Sequence, residues 1–208
     1  MELIKKYFPD LTNEQVNLFS KLFDSYKYWN EKINVISRKD FHNFYKHHVL
    51  HSLSIAKFTE FNKNTRILDA GTGGGFPGLP LAIMFPECQF TLVDSIKKKL
   101  KVINAITTQF NLKNISTVHS RVEEYNEKFD FVVSRAVTKF PSFVKWVSKN
   151  IYSEHKNDLP NGIIYLKGGE MKEEIKPFKD DMIIYPINDD FSEEFFETKK
   201  ILYLPIHK

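Results

Sequence analysis

The sequence predicts an α/β domain built on a mostly parallel, seven-stranded sheet with helices on both faces, preceded by an N-terminal helical extension. Two observations support this prediction. From Asn64 onward, short β-branched or apolar runs alternate with helical ones, and such alternation is typical of a parallel sheet covered on both faces. Before Asn64 the periodicity is helical. We therefore assign residues 1–63 to the extension and residues 64–208 to the α/β domain, as a single compact unit.

Two helices are predicted in the extension. Thr12 and Gln15 form a capping-box pattern ahead of apolar residues at helical spacing, which begin at Val16. A second helix is predicted to start near Asp40 and to continue through Ile55. Residues 34–39 link the two helices.

Seven strands are predicted in the α/β domain, with helices in most of the intervening segments. Ser95 and Pro141 are of the residue types that often begin a helix. The acidic and aromatic segment 188–198 is predicted to be a loop. The strands are assigned to residues 66–70, 89–93, 115–119, 129–133, 163–167, 182–185 and 200–206.

The composition is that of a globular protein from a reducing compartment. Hydrophobic residues make up 42% and charged residues 27% of the sequence, and Cys88 is the only cysteine, so no intramolecular disulfide can form. No apolar run approaches the ~18 residues of a membrane-spanning helix, and the N-terminus lacks the apolar core of a signal peptide. We therefore expect a cytoplasmic protein with no membrane partner. The net charge of +4 suits an anionic partner without identifying one.

The most informative segment is a glycine-rich loop after the first predicted strand. Asp69 lies at the end of that strand, and Gly71, Gly73 and Gly75 follow it ahead of Phe76. Glycines allow positive φ angles and let a ligand contact the backbone, and ligands of parallel sheets bind at the carboxyl ends of the strands. Three interpretations compete: a turn without a ligand, a dinucleotide site and a methyltransferase site. The acid directly before the loop favours the third, in which Asp69 organises the loop or approaches the cofactor's ammonium group.

Later strand ends extend this predicted site. Asp94 closes the second strand, where its carboxylate is placed to accept hydrogen bonds from both hydroxyls of a ribose; the alternative is an acid that only favours the start of the next helix. After the third strand, a backbone amide and a side chain at Val122 and Glu123 can bracket an adenine. Arg135 ends the fourth strand, where methyltransferases of this fold approach the methyl donor. The order and spacing of these segments predict a Rossmann-like class I methyltransferase.

These residues together resemble the ribosomal RNA methyltransferase family RsmG, also called glucose-inhibited division protein B, over most of the chain. The extension of the glycine loop by Pro77-Gly78-x-Pro80 is more specific than the loop itself, and so is Ser134-Arg135-Ala136 after the fourth strand. Other positions of the match are Asn34, His48, Ser52, Asp94, Ser95, residues 120–124 and residues 166–168.

The resemblance implies methyl transfer from S-adenosylmethionine to guanine N7 in 16S ribosomal RNA, with the small ribosomal subunit as the expected partner. It places the cofactor near Gly71, Phe76, Val122, Glu123 and Arg135, and makes Asp94 the ribose partner. Guanine N7 has a free lone pair at neutral pH, so the reaction needs orientation of the base and no general base. The residues predicted to orient the base are Asn34, Ser37 and Arg135. RNA contacts are predicted for Arg38, Lys39, His48, Lys167 and Lys199.

Several positions depart from the family pattern. His47 and His51 stand where the family often has arginine and aspartate, and Lys39 and Lys199 stand where it has arginine. Because lysine lacks the planar fork of arginine, these changes bear on single RNA contacts and leave the cofactor residues intact. The spacing of His47 and His51 can bind zinc, but no third ligand is evident, so no metal is expected.

Three other functions compete with the RNA guanine-N7 methyltransferase. A methyltransferase of another RNA, a protein or a small molecule would have the same cofactor site. A nicotinamide-dependent oxidoreductase would also have a glycine loop, and Asp69 ahead of the loop argues against it. A non-catalytic RNA-binding module would have no need of an intact glycine loop and Asp94. Cofactor binding and the identity of the methylated product discriminate among them.

Overall fold

One seven-stranded sheet organises the computed structural model, which describes residues 1–135 and 137–206. The strand order is β3-β2-β1-β4-β5-β7-β6. Strand β7 runs antiparallel to β5 and β6, and the other neighbouring pairs are parallel. The strands are β1 (Arg66–Ala70), β2 (Gln89–Asp94), β3 (Ile115–His119), β4 (Phe131–Arg135), β5 (Gly162–Gly168), β6 (Ile183–Pro186) and β7 (Lys199–Pro205).

The seven predicted strands are confirmed, with bounds that differ from the predictions by at most two residues. The interior strands β1 and β4 are buried on both faces, as their nearly continuous apolar sequences require. Successive residues alternate between two hydrophobic clusters: Ile67 and Phe131 face one side of the sheet, whereas Leu68 and Val132 face the other. Helices cover both clusters, as predicted.

Eight α-helices accompany the sheet in the described part of the chain. The capping box predicted at Thr12 is confirmed, because its side chain accepts a hydrogen bond from the backbone of Gln15 and the Gln15 side chain accepts one in return. The helices are α1 (Glu2–Tyr7), α2 (Asn13–Lys32), α3 (His51–Leu53), α4 (Ile55–Phe58), α5 (Gly78–Met84), α6 (Lys97–Gln109), α7 (Phe140–Val147) and α8 (Lys172–Ile175).

The second predicted helix of the extension is helical but irregular. It begins with a 3₁₀ turn, Phe41–Asn43, continues as a π-helical segment, Phe44–Leu50, and passes into α3 and α4. π-Helical turns are rare and occur frequently at functional sites. This one lies beside the carboxyl end of β4, since Arg135 at that end donates a hydrogen bond to the backbone oxygen of His47.

The extension packs on the sheet and shares its core. Phe19 and Phe44 belong to the same buried cluster as Ile67 and Phe131, so the division between residues 63 and 64 remains a prediction. The predicted loop 188–198 contains 3₁₀ turns and buries Phe191 and Phe196. Ala136, the last residue of the Ser-Arg-Ala match, and residues 207 and 208 lie outside the described residues.

Across residues 1–135 and 137–206, no helix combines the length and the apolar character that a bilayer span demands.

Candidate functional site

The glycine-rich loop between β1 and α5 is held from beneath by Asp69. The fully buried Asp69 accepts hydrogen bonds at Oδ2 from the hydroxyl of Thr72 (2.6 Å) and from the backbone N–H of Gly78 (2.8 Å). A Cβ atom on Gly78 would lie 2.7 Å from that same oxygen, so the approach requires glycine. Of the two roles predicted for Asp69, this geometry supports organisation of the loop. Its Oδ1 is buried without a hydrogen-bond partner among the described residues.

Burial raises the pKa of Asp69 to about 7, although the hydrogen bonds from Thr72 and Gly78 act in the opposite direction. The folded protein therefore binds a proton at Asp69 at pH values where the unfolded chain has released it. A folded-state pKa above the unfolded value stabilises the fold at low pH, and this stabilisation is lost as the pH rises through about 7.

Replacing Asp69 by asparagine, which cannot titrate, is expected to remove this pH dependence. The free energy of unfolding of the wild type should fall relative to Asp69→Asn between about pH 4 and about pH 7, at about 1.4 kcal/mol for each unit of pKa difference. Urea unfolding of both proteins across this range measures the difference, with the exposed Asp10→Asn as the control. An equal difference at both ends of the range would contradict the shifted pKa.

Three glycines of the loop, Gly71, Gly73 and Gly75, have positive φ angles, and the first two lie toward the site. Gly71 has φ +73° and Gly73 has φ +59°. A Cβ atom on Gly71 would lie 2.6 Å from Cγ2 of Val137, whereas one on Gly73 would meet nothing within 4 Å. The backbone at Gly73 is therefore open to a ligand, while Gly75 packs behind the loop against the hydroxyl of Tyr26.

Helix α2 and the segment after it brace the same loop. The hydroxyl of Tyr26 donates to the backbone oxygen of Gly74 (2.6 Å). The side chain of Asn30 accepts from the backbone N–H groups of Val35 and Ile36 and donates to the oxygen of Ile36. Val35 then lies against Gly74, since a Cβ atom added to Gly74 would be 3.1 Å from the Cβ of Val35. The extension thus forms one wall of the site.

A cavity of about 440 Å³ opens at the carboxyl edge of the sheet, bordered by this loop and by the ends of β2 and β4. The predicted site residues that line it are Gly71, Gly73, Phe76, Asp94, Val122, Glu123 and Arg135. The lining residues to which sequence reasoning gave no role in the site are Val35, Thr72, Gly74, Ser95, Ile96, Lys99, Arg121, Val137 and Trp146. Most of the missed residues adjoin a predicted site residue or motif, as Val35 adjoins Asn34, but Trp146 comes from an element without such a signal.

Asp94 joins the glycine loop to the start of α6. Its Oδ2 accepts from the backbone N–H of Gly73 (2.9 Å), and its Oδ1 accepts from that of Ile96 (2.8 Å), the residue before α6. Each carboxylate oxygen has a second lone pair, so both can still accept hydrogen bonds from a ligand. Asp94 lines the cavity and is 6% exposed.

Arg135 forms the opposite wall of the cavity. Its guanidinium donates to the backbone oxygen of His47 and is 3.1 Å from Nδ1 of His48, and it lies over the ring of Phe76 at 5.2 Å from the centroid. Burial lowers the pKa of Arg135 to about 10, and the negative charge of Asp69 opposes that shift. The side chain therefore remains charged at neutral pH.

The predicted residues of segment 34–39 are exposed and lie outside the lining of this cavity. Asn34 and Ser37 flank Val35 and Ile36, whose backbone N–H groups donate to Asn30, and of these four residues Val35 alone lines the cavity. Arg38 lines a neighbouring cavity of about 370 Å³. The catalytic roles of Asn34 and Ser37 and the RNA contacts of Arg38 and Lys39 remain predictions.

The remaining predicted RNA residues are engaged within the protein. Lys167 is 3.0 Å from both carboxylate oxygens of Glu174, and Lys199 lies over the ring of Phe195. Both ring nitrogens of His48 have hydrogen-bond partners: Nδ1 faces Arg135, and Nε2 is 3.1 Å from Asp40. Their RNA contacts remain predictions.

Throughout the ranges that the structure describes, His, Cys, Asp and Glu side chains form no group of three or more that could hold an ion.

Solved structures of low sequence identity share the fold. Precorrin-6y C5,15-methyltransferase from Geobacter metallireducens has a TM-score of 0.55 and 11% identity, over 82% of this chain and 90% of the other. A mutant of MtNAS in complex with S-adenosylmethionine has a TM-score of 0.57 and 11% identity, over 92% of this chain and 76% of the other. These similarities confirm the predicted Rossmann-like class I fold.

Sequence comparison identifies the family as well as the fold. A family model described as rRNA small subunit methyltransferase G matches residues 15–202. The ribosomal RNA small subunit methyltransferase G of Bacteroides thetaiotaomicron is 54% identical over 206 residues, which cover 99% of this chain and 100% of the relative. The predicted enzyme class and cofactor are thereby confirmed. This chain is an S-adenosylmethionine-dependent methyltransferase and belongs to the rRNA small subunit methyltransferase G family.

Proposed function

We propose that the protein methylates N7 of a guanine in 16S ribosomal RNA, that its substrate is the small ribosomal subunit, and that it acts in the cytoplasm. The observation that supports this proposal is one cavity at which the glycine loop, Asp94 and Arg135 converge, in a chain of this family. One end of the cavity suits a nucleoside, and the other has a fixed positive charge.

The residues around the cavity fit S-adenosylmethionine. Gly73 leaves open space beside an exposed backbone, and Asp94 retains free lone pairs for ribose hydroxyls. Val122 and Ile96 provide apolar surface for an adenine. Oδ1 of Asp69, which has no hydrogen-bond partner among the described residues, places an acceptor behind the loop. When bound, this cofactor supplies an electrophilic methyl group.

The protein's own contribution to the reaction is orientation of the base. N7 of guanine is nucleophilic at neutral pH, so no side chain has to remove a proton. Arg135 can donate to guanine O6 or to a phosphate, because the guanidinium has five N–H groups and only some of them face the π-helical segment. Asn34 and Ser37, on the exposed segment beside Val35, are proposed to hold the base from the other side.

The RNA backbone is proposed to pass over the edge of the sheet that carries the cavity. The carboxyl end of β5 and the start of β7 bring Lys167 and Lys199 to this edge, since Gly168 pairs with Lys199. Arg38 and Lys39 lie on the exposed segment of the extension. We expect these four cations to contribute mainly salt-dependent affinity for phosphates.

The proposed function predicts that label from methyl-labelled S-adenosylmethionine enters 7-methylguanosine. Purified protein is mixed with small ribosomal subunits from a strain that lacks it, and the RNA is digested to nucleosides for chromatography. Subunits from a strain that contains the protein are the control and should accept little label, since their site is already methylated. Label in another nucleoside would contradict the guanine-N7 assignment.

A parallel reaction with deproteinised 16S RNA tests the substrate particle. If the subunit is the substrate, the RNA alone should accept much less label under the same conditions. Equal labelling of naked RNA would contradict the proposal for the particle and leave the target atom in place.

A further inference from the structure

The guanidinium of Arg135 is held by a network that reaches back to the 3₁₀ turn of the extension. The backbone oxygen of His47 and Nδ1 of His48 both lie 3.1 Å from its nitrogens. Nε2 of His48 is 3.1 Å from Oδ2 of Asp40, and Oδ1 of Asp40 is 2.7 Å from Nδ1 of His47. One carboxylate thus contacts both histidines that contact Arg135.

The donors and acceptors in this network determine the state of His48. A guanidinium only donates hydrogen bonds, so Nδ1 of His48 must present its lone pair to Arg135. A neutral imidazole then carries its proton on Nε2, which donates to the carboxylate of Asp40. A neutral His48 is also expected from its surroundings, because burial together with the charge of Arg135 lowers the pKa of His48 to about 4.

The network also restricts the plane of the guanidinium. One acceptor at each terminal nitrogen and the ring of Phe76 at 5.2 Å leave few orientations for a side chain that is otherwise flexible. The acceptors belong to the π-helical segment Phe44–Leu50, which places both the carbonyl oxygen of His47 and the ring of His48 toward β4.

We propose that Asp40 and His48 are positioning residues for methyl transfer: Asp40 selects the Nε2–H form of His48, and His48 orients the guanidinium of Arg135 toward the base. This inference rests on the proposed function, because it assigns both residues to that reaction. His48 then acts through Arg135, in place of the direct RNA contact suggested by the sequence.

Two substitutions of His48 separate its two hydrogen bonds. In His48→Asn, the side-chain oxygen lies near the former Nδ1 and can accept from Arg135. In His48→Gln, the amide nitrogen extends toward Asp40, and the acceptor next to Arg135 is lost. We expect kcat of His48→Asn to remain within about 10-fold of the wild type and kcat of His48→Gln to fall about 100-fold, as for a misplaced catalytic group. Asp40→Ala removes the acceptor that selects the Nε2–H tautomer of His48 and should lower kcat about 10-fold.

A double-mutant cycle distinguishes positioning from general support of the fold. If His48 acts through Arg135, adding His48→Gln to Arg135→Ala should lower kcat by no more than about twofold further. A purely structural role predicts that the two losses multiply. His42→Asn and His42→Gln are matched controls, because His42 is exposed and precedes the π-helical segment. Thermal unfolding of each variant shows whether it is folded.

The tautomer can be measured without any activity. Long-range ¹H–¹⁵N correlation spectra of the wild type should show His48 neutral at about pH 7 with its proton on Nε2, assigned by the signal lost in His48→Asn. A proton on Nδ1, a cationic ring or equal kcat for the two His48 variants would overturn the proposal. Failure of the proposed function would show differently, as wild-type protein that produces no 7-methylguanosine while the Nε2–H signal is present.

Discussion

Replacing Arg135 by alanine is expected to lower kcat for methyl transfer by about 100-fold, measured at saturating cofactor and RNA. The guanidinium stays charged and lines the cavity, and among the described residues it has hydrogen-bond contacts with His47 and His48 only, so its loss removes a fixed partner for the RNA base or phosphate. The free energy of unfolding should fall by no more than about 2 kcal/mol, because the side chain borders the cavity, where water can take its place.

Arg66→Ala is the matched comparison for this variant. Arg66 also lies over an aromatic ring, that of Phe129, and bonds to Tyr152 and Glu127, but it begins β1 at the opposite edge of the sheet. We expect its replacement to change stability and to leave kcat within about threefold of the wild type. Full activity of Arg135→Ala would exclude the role proposed for this residue.

The fold was predictable because its signals are local. Strands β1 and β4 are buried on both faces and therefore appear in the sequence as short, nearly continuous apolar runs. The capping box at Thr12 similarly depends on residues only three apart. The π-helical segment has no such signal in the sequence. Its apolar residues keep the spacing of an ordinary helix, and its different hydrogen-bond pattern arises where the segment makes tertiary contacts such as that from Arg135.

The cofactor side of the site was predictable for a related reason. Asp69 and Asp94 end strands of a parallel sheet, and the carboxyl ends of such strands meet at one edge. The contacts of Tyr26 and Asn30 were not predictable, because a helical pattern does not show which polar groups reach a distant loop. The pairing of Lys167 with Glu174 likewise depends on how α8 packs against the sheet. The order of charged residues in the sequence does not show that packing.

Replacing Asp94 by alanine is expected to weaken binding of S-adenosylmethionine by about 100-fold. Two hydrogen bonds from ribose hydroxyls to a carboxylate would together contribute about 3 kcal/mol or more, since bonds to charged groups contribute about 1.5–3 kcal/mol each. The same substitution also frees the backbone N–H groups of Gly73 and Ile96, so the glycine loop and the start of α6 lose a shared acceptor. Calorimetric titration of the cofactor, paired with urea unfolding, measures both effects.

Asp130→Ala separates these two effects. Asp130 is as buried as Asp94 and also accepts a hydrogen bond from a backbone N–H, that of Arg66, but it precedes β4 at the edge away from the cavity. It is also ion-paired with Lys156. Its replacement should lower the free energy of unfolding while cofactor affinity stays within about threefold of the wild type. If Asp94→Ala binds the cofactor as tightly as Asp130→Ala does, the carboxylate of Asp94 belongs to the support of the loop and α6, and the ribose must be held by other groups of the cavity.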